Sequence, residues 1–389
     1  MANEVSPQQL RDLRDYFERR RNEILALTRS LVETESPSGD EEGSGKVVSL
    51  LSASARSIGA VDSIERIASE DYGYNLRIRA FASPGRTPPL LVIGHTDTVH
   101  PRGSLEAHPW RVEGSRIYGP GIFDMKANCA LVLEVLRACE ACGLKPSRPV
   151  TVLLTCDEEG GSPAGRALVE SEAKRAHSVL VLEPSASGGR AKTARKGTGM
   201  FTIEVRGRAA HAGLDPDKGV NAVLELARQT LRLHALNDPA SGTNVTVTIF
   251  NGGTASNVVP ASATAEVDMR FTSLDLGVAV ERDILNLKPF DSRGQVIVTG
   301  GINRPPLERT AKVVELYEHA RAIAAKLDFD LGETTVGGGS DGNFVGALGV
   351  PVLDGLGIEG DGAHAAHEHI VVDNIATRGA MLAGLVASL

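Results

Sequence analysis

No stretch of this sequence stays apolar for the roughly 20 residues that a bilayer-crossing helix needs, so no membrane contact is expected. No run of basic residues is present either. Lysine and arginine number 41 against 49 aspartates and glutamates, and the net charge of −8 argues against nucleic acid as a partner. Cysteine is scarce, and Cys129, Cys139, Cys142 and Cys156 are too few and too clustered for a disulfide framework. Cys139 and Cys142 form a C-x-x-C, but near the end of a predicted helix rather than at its start, where thiolates are stabilised. Reduced structural thiols are expected. The first thirty residues mix Asp12, Asp15, Glu18 and Glu23 with arginines and lack the apolar core of a secretory signal, so the expected location is cytoplasmic.

What is present is glycine, 42 of 389 residues, with 42% hydrophobic and 4% aromatic content, which suits a two-domain α/β enzyme. Ser6, Pro7 and Gln9 read as a capping-box start to one N-terminal helix carrying Leu10, Leu13, Phe17, Ile24, Leu25 and Leu27. Strands are predicted at Asn75 to Phe81, Pro89 to His95, Val150 to Cys156, Ser178 to Leu182 and Val350 to Leu356. Helices at Lys126 to Ala141, Arg166 to Arg175 and Arg309 to Leu327 alternate with them, which implies a mostly parallel sheet covered on both faces. Between residues 190 and 303 the order changes to strand, helix, strand, strand, helix, strand, the ferredoxin-like split βαβ. The chain therefore divides into a catalytic domain, residues 1–189 and 304–389, and an inserted α+β domain, residues 190–303.

The apolar run Leu90 to Ile93 ends on Gly94-His95-Thr96-Asp97, and ligands in α/β proteins gather at such strand ends. His95 reads as a metal ligand, with Asp97 placed to hold its second ring nitrogen. Four further places share that chemistry: Asp124 after a Pro-Gly turn, Glu158-Glu159 after the strand ending at Asp157, Glu183 after Leu182, and His364. Two histidines with several carboxylates suit zinc or a similar divalent ion. One ion cannot use them all, whereas two ions sharing a bridging carboxylate can. Of two adjacent glutamates, one can ligate while the other moves a proton. Arg270 closes an otherwise apolar strand and reads as a clamp for a carboxylate.

These residues resemble the M20 metallopeptidases, most closely the glutamate carboxypeptidase branch. The resemblance covers nearly the whole chain and rests on Gly94-His95-Thr96-Asp97-Thr98-Val99, Tyr118-Gly119-Pro120-Gly121 through Asp124, Asp157-Glu158-Glu159, Leu182-Glu183-Pro184, Ala210-His211-Ala212-Gly213, Ser256-Asn257-Val258, Asp268-Met269-Arg270 and Gly337-Gly338-Gly339-Ser340-Asp341. It implies two zinc ions, with cobalt or manganese as substitutes. His95, Glu183 and a bridging Asp124 would hold one, and Glu159, His364 and Asp124 the other, with Glu158 as general base. His364 is selected over His367 because the family pattern places a glutamate four residues later, here Glu368, while His369 is expected to face elsewhere. Many relatives have a second aspartate after the bridging one, joined by a cis peptide; here that place is Met125.

The resemblance also gives Arg270 the substrate carboxylate, with Asn257 beside it, and Gly337, Gly338 and Gly339 would let backbone amides approach the same anion. His211 is the candidate oxyanion donor. The implied reaction releases a C-terminal amino acid, with glutamate as one candidate, from a peptide or N-acyl conjugate bearing a free carboxylate. A deacylase of acetylornithine or succinyl-diaminopimelate type uses the same chemistry, and a non-hydrolytic metal-binding protein would be expected to lack Glu158. A homodimer through the inserted domain, which doubles as a lid, is implied as well.

Overall fold

The computed structural model describes residues 4–83 and 87–389. Contacts divide the chain into two units. The first holds the residues up to Ala194 together with Arg309–Val336 and Ser340–Leu389, and the second holds Arg195–Glu308 with Gly337–Gly339. Strand Ala191–Arg195 pairs with Glu333–Val336, so the residues just after 190 stay largely with the first unit's strands.

The first unit is built on a six-stranded sheet in the order Val61–Ser69, Gly73–Ala80, Val150–Thr155, Leu90–His95, Ser178–Val181, Val352–Leu353. The last four run parallel and the first two are antiparallel additions. Every residue of Leu90–His95 and of Val150–Thr155 is buried, as expected for central parallel strands covered on both faces. Burying each such Val, Leu or Ile contributes about 1.5–3 kcal/mol relative to exposure, so the apolar run holds the strand that ends on His95 firmly in the core. Helix Ala127–Ala141, buried along nearly its whole length, packs against Pro7–Arg19, Arg21–Glu33, Glu41–Ala55 and Ile375–Ser388. Arg166–Ala173 and Asp341–Ala347 pack together and on Leu90–His95.

The N-terminal segment forms two helices where one was expected. The capping box at Ser6 and Gln9 is formed, but Arg20 leaves helical geometry at φ −97°, ψ 6°, dividing Pro7–Arg19 from Arg21–Glu33. The apolar stripe runs through the break with neither glycine nor proline to mark it. The strand expected over Val350 to Leu356 shrinks to Val352–Leu353. Beyond it the backbone is held by Arg378, fully buried, whose guanidinium donates to the carbonyls of Gly357, Gly189 and Gly355 at 2.8–2.9 Å.

The second unit carries Gly197–Arg206, Ala222–His234, Asn244–Gly252, Ser262–Phe271, Leu274–Leu285 and Gln295–Arg304 in that order. Its four strands are all antiparallel, with Ser262–Phe271 and Gly197–Arg206 in the centre and Asn244–Gly252 and Gln295–Arg304 at the edges. That is the ferredoxin-like arrangement, with Phe201, Ile203, Val205, Leu226, Val267 and Ile284 in its own separate core.

Candidate metal centre

His95 ends its strand with its ring 1% exposed. Gly94 makes room beneath it, since a Cβ there would lie 2.4 Å from Met125 Cε, and Met125 Sδ accepts from the His95 amide at 3.3 Å. His95 Nδ1 meets the backbone oxygen of Asp97 at 3.0 Å, while the Asp97 carboxylate is farther, at 3.4 Å. Carbonyl and carboxylate of Asp97 thus both face this nitrogen, and the carboxylate has a second task. It accepts from Ser38 Oγ at 2.5 Å and from the amides of Glu158 and Glu159 at 3.2 and 3.0 Å, tying the glutamate turn to the histidine strand.

Asp124 is not the ordinary helix cap its setting suggests. Its backbone, at φ −115°, ψ 91°, is non-helical, its peptide to Met125 is cis, and the following helix starts only at Ala127. Its two carboxylate oxygens face different histidines: Oδ1 is 3.2 Å from His95 Nε2 and Oδ2 is 3.5 Å from His364 Nε2. Glu183 Oε1 lies 3.5 Å from His95 Nε2, and Glu159 Oε2 lies 3.2 Å from His364 Nε2. Donor atoms of His95, Glu158 and Glu183 come within 4.8 Å of one another, as do those of His95, Asp124 and Glu159. His364 sits at φ +66° and is half exposed, so the cluster opens to solvent on its side.

Histidines and carboxylates set one another's charge in this cluster. Burial alone would lower His95, but Asp124, Asp97 and Glu183 outweigh it and hold the ring well above its usual value. Hydrogen bonds to Asp124 and Glu159 lift His364 to about 10. Burial raises Glu159, whereas Asp124, although buried, is held far below the usual carboxylate range by the two histidines. The carboxylates that raise both rings are those a bound cation would share. Glu159 Oε1 is buried with no hydrogen-bond partner. A set of imidazole nitrogens and carboxylate oxygens with one orphaned buried oxygen fits a divalent ion of the zinc type. His367 and His369 have other neighbours: the His369 ring lies tilted against Tyr118 with ring centres 4.9 Å apart, and the His367 ring lies beside Gly362.

The remaining candidates lie in the second unit. His211, exposed on the two-residue strand Ala210–His211, accepts at Nδ1 from the amides of Gly213 and Leu214, both at 3.1 Å. This assigns the neutral ring's proton to Nε2. Asn257 is exposed, and its carbonyl accepts from the Ala212 amide at 2.9 Å. The fork of Arg270 is taken by its own neighbour, with Nε and Nη2 bidentate on Asp268 at 2.8 and 2.7 Å, while Nη1 reaches the Gly337 carbonyl at 3.4 Å. Arg195 Nη1 holds the carbonyls of Gly338 and Gly339 at 3.1 and 3.2 Å. The glycine loop therefore turns carbonyls to arginines, and only Gly339 is forced by packing, since a Cβ there would meet Arg304 Cδ at 2.9 Å. Asp97 as a link to the glutamate turn, Asp268, Arg195 and the partners of Glu368 are roles that sequence reasoning did not find.

A parallel-stranded α/β unit with a carboxylate-rich histidine cluster at its strand ends, joined to a ferredoxin-like unit, defines a metal-dependent amidohydrolase. The chain belongs to peptidase family M20/M25/M40, whose model matches residues 91–388. It is 32% identical over 373 residues to carboxypeptidase G2 of Pseudomonas sp. (strain RS-16), covering 94% of this chain and 89% of that one. It is 29% identical over 315 residues to a succinyl-diaminopimelate desuccinylase of Verminephrobacter eiseniae, covering 76% and 77%. In fold it is similar to an aminopeptidase of Bacillus cereus (TM-score 0.75, 20% identity, covering 95% and 98%). It is likewise similar to an M20 metallo-carboxypeptidase of Sulfolobus solfataricus (TM-score 0.71, 16% identity, covering 94% and 99%). Among the described residues no helix is long and apolar enough to cross a membrane.

Proposed function

We propose that this hydrolase binds two zinc ions and releases a C-terminal amino acid, glutamate being the first candidate, from a peptide or N-acyl conjugate. The observation that carries the dinuclear reading is Asp124, whose two oxygens each face a different histidine, with Glu183 near one ring and Glu159 near the other. His95, Asp124 and Glu183 would hold one ion, and Glu159, Asp124 and His364 the other. Bound there, the ions would supply Lewis acidity and make water acidic enough to attack near neutral pH.

Glu158 then acts as the base, taking the proton of the attacking water and passing it to the leaving nitrogen. Its neighbour's role as a ligand and the shared anchor at Asp97 keep it in place. His211, with its proton on Nε2, donates to the developing oxyanion, a contribution of about 10²–10³ in rate for donors of this kind. Arg270, aligned by Asp268, binds the substrate carboxylate through the guanidinium edge that Asp268 leaves over, with Asn257 and the Gly337–Gly339 loop beside it. The identity to carboxypeptidase G2 over 94% of the chain supports a carboxypeptidase, while the desuccinylase relatives support deacylation of an N-acyl diamino acid as the second reading.

A homodimer through the second unit is part of the proposal. Its edge strand Asn244–Gly252 exposes Ile249 and Phe250, and helix Ala222–His234, which packs on that strand, exposes Leu224 and Leu231. An open strand edge beside an apolar helix stripe invites pairing with a second copy. Zinc-loaded protein tested on N-acyl amino acids and dipeptides with varied C-terminal residues, each free and amidated, decides the substrate. Release of free amino acid from the unamidated series alone is expected. Equal cleavage of both series, or selective desuccinylation of a diamino acid, would replace this reading.

A further inference from the structure

Glu368 is 2% exposed and its carboxylate accepts four hydrogen bonds. Oε1 takes the amides of Phe123 and Asp124 at 2.8 and 2.9 Å, and Oε2 takes the amide of Gly121 at 2.9 Å and His100 Nε2 at 2.6 Å. All acceptor positions of one side chain are therefore spent on three donors of the segment 121–124 and one donor from the loop after His95. The backbone of the same residue adds a bond, since the Gly119 amide donates to the Glu368 carbonyl at 3.2 Å. Four residues earlier, His364 stands at the other end of the turn, facing Asp124 Oδ2.

The segment that needs this support is a single irregular turn, closed by the Lys126 amide on the Gly121 carbonyl at 2.9 Å and the Ile122 amide on the Gly119 carbonyl at 3.2 Å. Asp124 lies outside helical geometry, and the helix behind it begins three residues later with no side-chain cap. Without Glu368 the amides of 121, 123 and 124 lose the acceptor they have here, and a side chain on a loosened backbone cannot keep its two oxygens aimed at two rings. We propose that Glu368 is the positioning residue of the metal centre. It sets the backbone of the bridging Asp124, couples that segment to the His364 turn, and is itself oriented by His100. The proposal rests on the dinuclear reading above. A purely structural role would lower stability alone; a positioning role moves metal affinity in protein that is still folded.

The test is titration of the chelator-stripped full-length protein with cobalt, followed by its visible absorption and by elemental analysis, with unfolding monitored in parallel. Wild type is expected to take up two equivalents. Glu368→Ala frees all four donors and is expected to bind cobalt about 10–100-fold more weakly, with altered absorption bands, as for other partners that orient a ligand. Glu368→Gln can keep an oxygen on Phe123 and Asp124 while His100 changes tautomer, so only the Gly121 bond is lost and the affinity should fall between the two. Wild-type affinity and bands in folded Glu368→Ala overturn the proposal. Should Glu368→Ala not fold, Glu368→Gln decides: a loss of threefold or more supports the proposal, and wild-type binding overturns it. If wild type binds no cobalt, the dinuclear reading falls and this proposal with it, whereas two equivalents bound with the same affinity in wild type and variants refute the positioning role alone.

Discussion

Replacing Asp97 separates the orienting network from the ligands themselves. Its carboxylate is 2% exposed and accepts from Ser38 Oγ and from the amides of Glu158 and Glu159. Asp97→Asn keeps the shape but must turn its NH2 toward one of the two amides, because each carboxylate oxygen receives one of them; Ser38 can rotate, an amide cannot. One buried amide is then unpaired, a loss of about 1–3 kcal/mol. Asp97→Ala unpairs both, about 2–6 kcal/mol in all, and leaves the Glu158-Glu159 turn unanchored. Since the Asp97 carbonyl, at 3.0 Å, is closer to His95 Nδ1 than the carboxylate, at 3.4 Å, and survives both substitutions, the His95 ring should keep its orientation in both variants. Urea unfolding of the metal-free variants should follow this order, and metal affinity should fall about 10–100-fold in Asp97→Ala. An Asp97→Asn protein as stable as wild type, or a loss of metal no greater in the alanine variant than in the asparagine variant, would refute the assignment.

Glu158→Ala is expected to retain both metals and lose about 10²–10⁴ in kcat, the span of general-base catalysis; Glu159→Ala is expected to lose one metal, and full loading of Glu159→Ala by elemental analysis would reverse the two roles. Arg270→Ala should cost activity only on substrates with a free carboxylate, and Asp268→Ala should raise KM on the same substrates; similar kcat/KM of wild type on free and amidated substrates removes the clamp. Mixing His211→Ala with Glu158→Ala subunits should restore activity on exchange if His211 serves the partner's site, and continued inactivity after proven exchange shows that it serves its own. Burial pushes the thiols of Cys139 and Cys156 up to about 12, while Cys142 is only partly buried, so brief iodoacetamide treatment of the native protein at pH 8 should mark Cys142 first. Faster labelling of Cys139 or Cys156, read by peptide mass spectrometry, would contradict that burial.

The parts of the fold legible in the sequence are those whose signal is local. The all-apolar run into His95 and the β-branched run into Thr155 announce buried parallel strands, and the order of elements after residue 196 announces the ferredoxin-like unit. Strand Val61–Ser69 escapes because it pairs antiparallel at the sheet's edge and carries Asp62, Glu65 and Arg66 with little alternation to read. The break at Arg20 escapes because helix propensity is high on both sides and tertiary packing, not a breaker residue, decides where the stripe turns.

The candidate site divides along the same line, and the division has a physical cause. A ligand or base must be a particular chemical type at a strand end, so His95, Glu158 and Glu183 stand out from their neighbours in the chain. The groups that aim them are acceptors for backbone amides, and any carboxylate in any loop has that chemistry. Glu368 meets the amides it holds across more than 240 residues of sequence, and Asp97 meets Glu158 and Glu159 across about 60. Arg270 shows the converse. Its partner Asp268 is two residues away, close enough to read as a pair on one face of a strand. An arginine so paired reaches a ligand with part of its fork rather than all of it. The prediction that Asp268→Ala raises KM on free-carboxylate substrates follows from that geometry, because an arginine freed from its aspartate gains donors but loses the orientation that presents them.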